Sequence, residues 1–259
     1  MITNTQSGTR VDEVESGIYR INTPVAIPGG PGAFNFSQYL IVDDEPLLFH
    51  TGPRRMFPLV REAISAVAPV ERLRYVGLSH FEADESGALN EFLAVAPQAE
   101  PFASAIGAMV SVNDIADRPA RGFADGEEFS IGRHRLRWIY TPHVPHGWDC
   151  GVLYDVTTGT LLCGDLFTQG GSGHQPVTED DILAPSEQFR KPLDYFAHSS
   201  GSAPILDRLA GLQPRMLACM HGSAFRGDGA APLRELARIL ENEAAAVRQA
   251  RSEGMAAIP

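Results

Sequence analysis

The residues that could do chemistry in this chain gather first in Ser79-His80-Phe81-Glu82-Ala83-Asp84-Glu85-Ser86-Gly87. Imidazole and carboxylate groups at such short spacing are the donor types of a site for Fe, Mn or Zn. The stretch follows the β-branched and aromatic run Arg74-Tyr75-Val76-Gly77-Leu78 and precedes Leu89, Phe92 and Leu93 at helical spacing. That places it in a strand-to-helix loop. Residues 80, 82 and 84 alternate with Phe81 and Ala83, so extended backbone would set three ligand-type side chains on one face. A tight turn would then leave Asp84 and Glu85 at the helix start, where carboxylates meet the positive end of the helix dipole. Taken alone, such a cluster is as readily a solvated polar turn. Metal ions take several ligands from separate parts of a chain, so a metal site here requires further ligands downstream.

Three further ligand-type residues sit just past strand-like runs. His146 follows Arg135 to Tyr140 and a Pro-containing loop, Asp165 follows Thr160 to Cys163, and His221 follows Arg215 to Met220. Chance would scatter eight histidines without regard to strand ends. His80, Glu82 and His146 can hold one cation, and Asp84 and His221 a second, with Asp165 between them. Open positions would remain for water, dioxygen or substrate. The carboxylates offset much of the charge of two divalent ions and leave room for a bridging hydroxide. No thiol is needed.

The elements that must position these residues read as hairpins alternating with helices. Gly17 to Ile21 is the first strand expected, Ala26 to Gly32 a Pro/Gly loop, and Phe34 to Val42 with Pro46 to His50 a hairpin. Met56, Leu59, Val60, Ile64 and Val67 mark a helix that Pro69 ends. Ala103 to Val112 is helical, and two more hairpins lie at 128–140 and 151–163. Residues 168–192 form a long polar loop that would cover a site, Leu193 to Ala197 and Ile205 to Leu212 are helical, and Arg215 to Met220 is the last strand. Leu233, Leu236, Ala237 and Leu240 give the C-terminal helix an apolar face. One domain over 1–259 is expected, with 1–16 as an N-terminal extension and 227–259 as a C-terminal helix and tail.

Composition narrows the partners. A hydrophobic content of 44% with 20% charged residues is that of an ordinary globular chain. A formal charge of -11 with scattered Lys and Arg argues against nucleic acid. No run reaches the length of a membrane span, and the N-terminus lacks the cationic start and apolar core of a secretion signal. Cys150, Cys163 and Cys219 are far apart in apolar contexts and read as buried, reduced thiols of a cytoplasmic protein. Cys150, next to Asp149, lacks a plausible basic partner that would make it a nucleophile. Gly170-Gly171-Ser172-Gly173 does not follow a strand and open a helix, so it is no phosphate cradle.

As a set, these motifs resemble the metallo-β-lactamase fold superfamily, and within it the diiron branch of the flavodiiron proteins and their stand-alone oxygen-binding relatives. The hydrolytic branches carry His-x-His-x-Asp-His, whereas this chain has His80-x-Glu82-x-Asp84-Glu85, with Glu in the second place as in the diiron branch. The match continues through His146 with Trp148-Asp149, Gly164-Asp165-Leu166-Phe167 and Met220-His221-Gly222-Ser223, over roughly residues 17–240. The resemblance implies an α+β fold, a four-layer αβ/βα sandwich with its metals in a cleft at one edge of the sheets. It implies two irons on His80, Glu82, Asp84, His146, Asp165 and His221, binding or reduction of dioxygen or nitric oxide, and a homodimer. The family often has His where Glu85 stands and usually Asp where His50 stands. No flavodoxin domain fits in this chain, so no bound flavin is expected within it and any reductase turnover would need a flavin from a separate flavoprotein or from the opposing subunit.

Around that set, Glu85 and His174 are the candidate catalytic side chains, His174 as an acid reaching in from the long loop. His143 competes with His146 in the same loop, and His146 is preferred for its match and its distance past the strand end. Asp149 is expected to order its loop, and His134 and His198 to lie on the surface. Two other functions stay open: a Zn or Mn hydrolase of an ester, lactone or thioester in which Asp84 handles the proton, and a signalling module that senses oxygen.

Overall fold

Two mixed β-sheets carry the chain in the computed structural model, which describes residues 1–27 and 32–256. The first has eight strands in sequence order: β1 (Ile2–Asn4), β2 (Thr9–Glu15), β3 (Ile18–Ala26), β4 (Ala33–Ile41), β5 (Leu47–Phe49), β6 (Tyr75–Gly77), β7 (Glu100–Ser104) and β8 (Arg121–Phe123). The second has seven: β9 (Glu128–Ser130), β10 (Arg135–Tyr140), β11 (Gly151–Asp155), β12 (Thr160–Gly164), β13 (Val177–Thr178), β14 (Met216–Cys219) and β15 (Ala224–Arg226). Their order across that sheet is β13-β15-β14-β12-β11-β10-β9. Helices α1 (Phe57–Ser65), α2 (Ala83–Ser86) and α3 (Leu89–Val95) belong to the first half. There α4 (Ala105–Gly107) and α5 (Asn113–Ile115) flank a π turn at Ala108–Val112. Helices α6 (Leu183–Leu193), α7 (Ser202–Gly211) and α8 (Ala230–Ala256) belong to the second.

Three apolar clusters fill the spaces between four layers. Val60, Ile64, Phe92 and Leu93 of α1 and α3 pack on Ile21, Leu40, Leu48 and Val76 of the first sheet. Phe49, Phe102, Phe123 and Trp138 meet Leu153, Leu162 and Ala218 between the sheets. Leu206, Leu209, Leu233 and Leu236 of α7 and α8 cover Val152, Leu161 and Leu217 on the far side. Because β11, β12 and β14 are covered on both faces, they are buried along their whole length, which explains their unbroken apolar runs. This is the expected α+β four-layer sandwich.

Strand direction decides where the site lies. From β5 to β8 neighbours are parallel. In the second sheet β12 pairs parallel with β14, and β10 reaches the same direction through two antiparallel steps across β11. The C-terminal ends of β5 and β6, and those of β10, β12 and β14, therefore share an edge of their sheets, and each releases one of the chain's histidine or acid loops.

The structure corrects several expectations. Residues 2–4 and 9–15 are not an extension but the first two strands, with β2 hydrogen-bonded along β3. Their polar alternation, Thr-Arg-Val-Asp-Glu-Val-Glu, belongs to a half-buried strand whose outward face is charged. Likewise β8 and β13 were not expected, and β15 follows the strand expected to be last. The long loop at 168–192 contains most of α6, while 194–197 is not helical. Pro185 sits in the first turn, where its missing N–H has no helical partner to lose, and Pro192 lies one residue before the helix ends. His134 is buried, not on the surface: its Nδ1 stands 2.7 Å from the buried Asp155 carboxylate. His198 is exposed as expected. Within the Pro/Gly loop expected at 26–32, residues 28–31 lie outside the described residues.

At the end of β6, Gly77 leaves no room for a side chain: a Cβ there would lie 2.2 Å from Phe102 Cζ, inside the rigid aromatic stack between the sheets. Gly77→Ala is expected to destabilise the protein by about 1–3 kcal/mol through overpacking, seen as a fall of several degrees in the thermal unfolding midpoint.

Candidate metal centre

The first ligand loop is tied down on both sides. Leu78 N–H donates to Phe102 C=O (3.0 Å), and Ser79 C=O accepts from Gly151 N–H of the opposite sheet (2.8 Å). Glu82 has extended backbone, φ -136° and ψ 169°, at the N-cap of α2, and Asp84 and Glu85 fall in the first turn. The ligand types thus reach the cleft from a loop and a helix start, not from one extended face. Thr51, just past β5, locks this turn by donating its N–H and Oγ1 hydroxyl to Glu85 C=O at 2.7 and 2.9 Å. Two other ligand loops depend on glycine: Gly164 at φ +55° turns the chain into Asp165, and Gly222 at φ +108° follows His221, where a Cβ would come 2.5 Å from Gln169 Cδ.

The side chains converge. His80, Glu82, His146 and Asp165 each offer an atom within 4.8 Å of the others, as do Glu82, Asp84 and Glu85. The Nε2 atoms of His80 and His146 are 3.0 Å apart, and His146 Nε2 is 3.1 Å from Glu82 Oε1. Asp165 faces both ways: Oδ2 lies 3.5 Å from His80 and 3.4 Å from His146, while Oδ1 lies 3.2 Å from His221 Nε2. Asp84 is 3.5 Å from the same His221 nitrogen. Ligand atoms bound at about 2.1 Å to a shared cation stand about 3.0–3.4 Å from one another in octahedral or tetrahedral order. These separations match that arrangement.

Electrostatics point the same way. Hydrogen bonding with His146 and His80 pulls the Glu82 carboxyl down to about 2. Burial pushes Asp165 up, but His221, His80 and His146 outweigh it and hold it well below the ordinary carboxylate range. Burial works against an imidazolium at His221, yet Asp165 and Asp84 raise it to about 9. Glu85 goes the other way: burial, then the neighbouring Asp165 charge, drive its carboxyl well above the usual range. Both Glu85 oxygens and Asp165 Oδ1 are buried without a hydrogen-bond partner. Buried, unsatisfied carboxylate oxygens cost several kcal/mol unless a cation meets them. The hard oxygen and imidazole donors suit Fe, Mn or Zn, so the residues present fit a pair of such ions.

Of the residues singled out from the sequence, His80, Glu82, Asp84, Glu85, His146, Asp165 and His221 come together. His143 is exposed and belongs to neither group of ligand atoms. His174 also stays outside these groups, with its Nε2 3.0 Å from Gly170 C=O in its own loop. Asp149 accepts a hydrogen bond from Ser104 Oγ at its backbone C=O (2.7 Å), which fixes the loop after His146. All three cysteines are buried free thiols, in no disulfide. Two contributors were missed. Asn35 C=O is 2.7 Å from His221 Nδ1, and the Tyr195 ring packs edge-on to His146, 5.8 Å between centroids. A backbone carbonyl leaves no trace in residue type, and Tyr195 lies in a segment read as an apolar helix.

Among known proteins, the family described as "ODP family beta lactamase" matches residues 34–222. The chain is 23% identical over 206 residues to the rubredoxin-oxygen oxidoreductase of Megalodesulfovibrio gigas, covering 76% of this chain and 50% of that protein. It is 24% identical over 205 residues to the anaerobic nitric oxide reductase flavorubredoxin of Salmonella arizonae, covering 75% and 42%. It thus spans about half the length, or less, of these curated relatives. In fold, it superposes on a variant of the flavo di-iron protein of Thermotoga maritima with a TM-score of 0.79 at 17% identity, covering 90% of this chain and 61% of that one. A 1–254 fragment of the putative diflavin flavoprotein A 5 of Nostoc sp. gives 0.74 at 17% identity, covering 94% and 98%. With its two sheets, its convergent acids and imidazoles and a family match over most of its length, this chain belongs to the ODP family beta lactamases.

Proposed function

We propose that the cleft holds two iron ions and that the protein binds or reduces dioxygen or nitric oxide with electrons from a separate donor. The observation that carries this reading is Asp165, whose two oxygens face opposite ways, one toward His80 and His146 and the other toward His221. That is the geometry of a carboxylate shared by two cations. His80, Glu82 and His146 would hold one ion, and Asp84 and His221 the other. Glu82, where hydrolytic relatives carry a histidine, adds negative charge that favours a redox-active ion over Zn. The names of the relatives, an oxygen oxidoreductase and a nitric oxide reductase, support the same choice. When bound, the irons supply the electrons and the open faces for the diatomic substrate.

The chain's own residues do the rest. Glu85 stands 3.9 Å from His80 Nε2 with no solvent exposure and is the acid group inside the cleft. His174 is the more distant proton carrier, in a loop whose Gly171 C=O accepts from Asn35 Nδ2 at 2.9 Å. Phe81 and Trp148, 41% and 54% exposed in the ligand loops, offer apolar contact ground for an electron-donating flavoprotein. Among the described residues no helix is long and apolar enough to cross a membrane. The three free thiols fit a reducing cytoplasm. The whole chain is proposed to work as one domain, in a homodimer.

Anaerobic loading with ferrous iron is expected to give two irons per chain, charge-transfer absorption, and oxygen or nitric oxide consumption when a generic flavin reductase is added. Uptake of zinc alone with turnover of esters or lactones would overturn the reading. Glu82→Ala is expected to lose at least one ion and Asp165→Ala to weaken both, measured as metal per chain after gel filtration; full retention of two ions in both variants contradicts the ligand assignment.

A further inference from the structure

We infer that His50, acting through Ser79, is a positioning residue that decides which nitrogen of His80 carries the proton, so that a bare Nε2 is presented to the cation cleft. The inference rests on the proposed reading of that cleft as a metal site. His80 turns Nε2 to the cluster and Nδ1 to Ser79 Oγ, 3.0 Å away. Ser79 Oγ is in turn 2.9 Å from His50 Nε2. A hydroxyl has one proton to give and could send it either way. The backbone decides: Ser79 N–H also points at His50 Nε2, at 3.3 Å. A ring nitrogen that accepts an N–H carries no proton of its own, so His50 Nε2 accepts from the hydroxyl as well. Ser79 Oγ then has only lone pairs left for His80, whose Nδ1 must carry the ring proton.

His50 keeps this role at a local cost. It is buried, a non-glycine residue at φ +66°, with its ring stacked on Phe49 at 4.4 Å between centroids. Burial holds its imidazole down at about 3, so it is neutral, and its one proton must sit on Nδ1, which has no acceptor. A strained backbone and an unsatisfied buried group persist together where the surroundings enforce them. Here the enforcement is visible. Gly164 packs on Ser79 so closely that a Cβ would be 3.1 Å from its Oγ. The two other imidazoles are handled differently: His221 Nδ1 meets the Asn35 carbonyl, which can only accept, and His146 Nδ1 is buried with no partner. His80 alone has its tautomer set through an ambivalent hydroxyl, and so needs a third group to give that hydroxyl a direction.

The test uses the full chain and Zn²⁺ in competition with a chelator. Ser79→Ala and His50→Leu are expected to weaken zinc binding by about 10–100-fold. His50→Asn, whose side-chain carbonyl accepts both protons and whose backbone tolerates positive φ, is expected to restore affinity to within a few-fold. Long-range ¹H–¹⁵N correlation on zinc-loaded wild-type protein needs no substitution and should find the His50 proton on Nδ1. A proton on His50 Nε2, or two zinc ions held at wild-type affinity by both Ser79→Ala and His50→Leu, overturns this inference while leaving the metal reading intact. A wild-type chain that takes up no zinc overturns both.

Discussion

Four carboxylates and three imidazoles crowded into one cleft would repel or strand one another, and the arrangement persists only if positive charge is shared among them. In the protein without ions that charge comes from protons: His221 is raised to about 9 and Asp165 is held low by the surrounding imidazoles. A proton on Glu85, whose carboxyl burial and the Asp165 charge drive well above the usual range, removes one negative charge, yet both its oxygens still lack a hydrogen-bond partner. Cations of higher charge would meet those oxygens, and metal binding as proposed for this cleft would be an exchange of protons for ions within a cage already built. The cage is costly to keep and is stiffened from outside by the two sheets and their aromatic interleaf.

The parts of the fold legible in the sequence are those that side chains encode. His80, Asp165 and His221 come after short apolar runs, and such runs mark buried strands whatever the tertiary context, so the convergence of these loops was legible. Glu82 and Glu85 were legible in place as well as in type: Glu82 has the extended backbone expected of it and Glu85 lies in the first helical turn, while the start of α2 at Ala83 takes Asp84 off the shared extended face. Helix α6 was hidden by Pro185 and Pro192, whose usual meaning is a loop. β2 was hidden because charged residues fill its outward face, and β1 because it is three residues long with no fully buried side chain. His134 was misplaced because its partner, Asp155, is 21 residues away and pairs with it only once β10 and β11 are side by side.

The backbone atoms that finish the site were out of reach of any such reading. Asn35 acts through its carbonyl on His221, Ser79 through its amide on His50, and Thr51 through its amide on α2. Each is set by strand register, which the side-chain pattern of β4, β5 or β6 does not carry in enough detail. The contrast with β12 and β14 is useful: their unbroken hydrophobic runs announce a strand covered on both faces, and their ends announce the acid and the imidazole beyond them.

The hydrogen bond from Gly151 N–H to Ser79 C=O crosses from one sheet to the other beside the first ligand. It makes the cleft a gauge of how the two halves of the sandwich sit: His80 and the Glu82 turn ride on one half, His146, Asp165 and His221 on the other. With the proposed ions bound, any slippage of the halves would stretch the span between them before it disturbed either half internally. Ion occupancy should therefore report on the cohesion of the aromatic interleaf many residues away, and loss of the ions should loosen the halves in return.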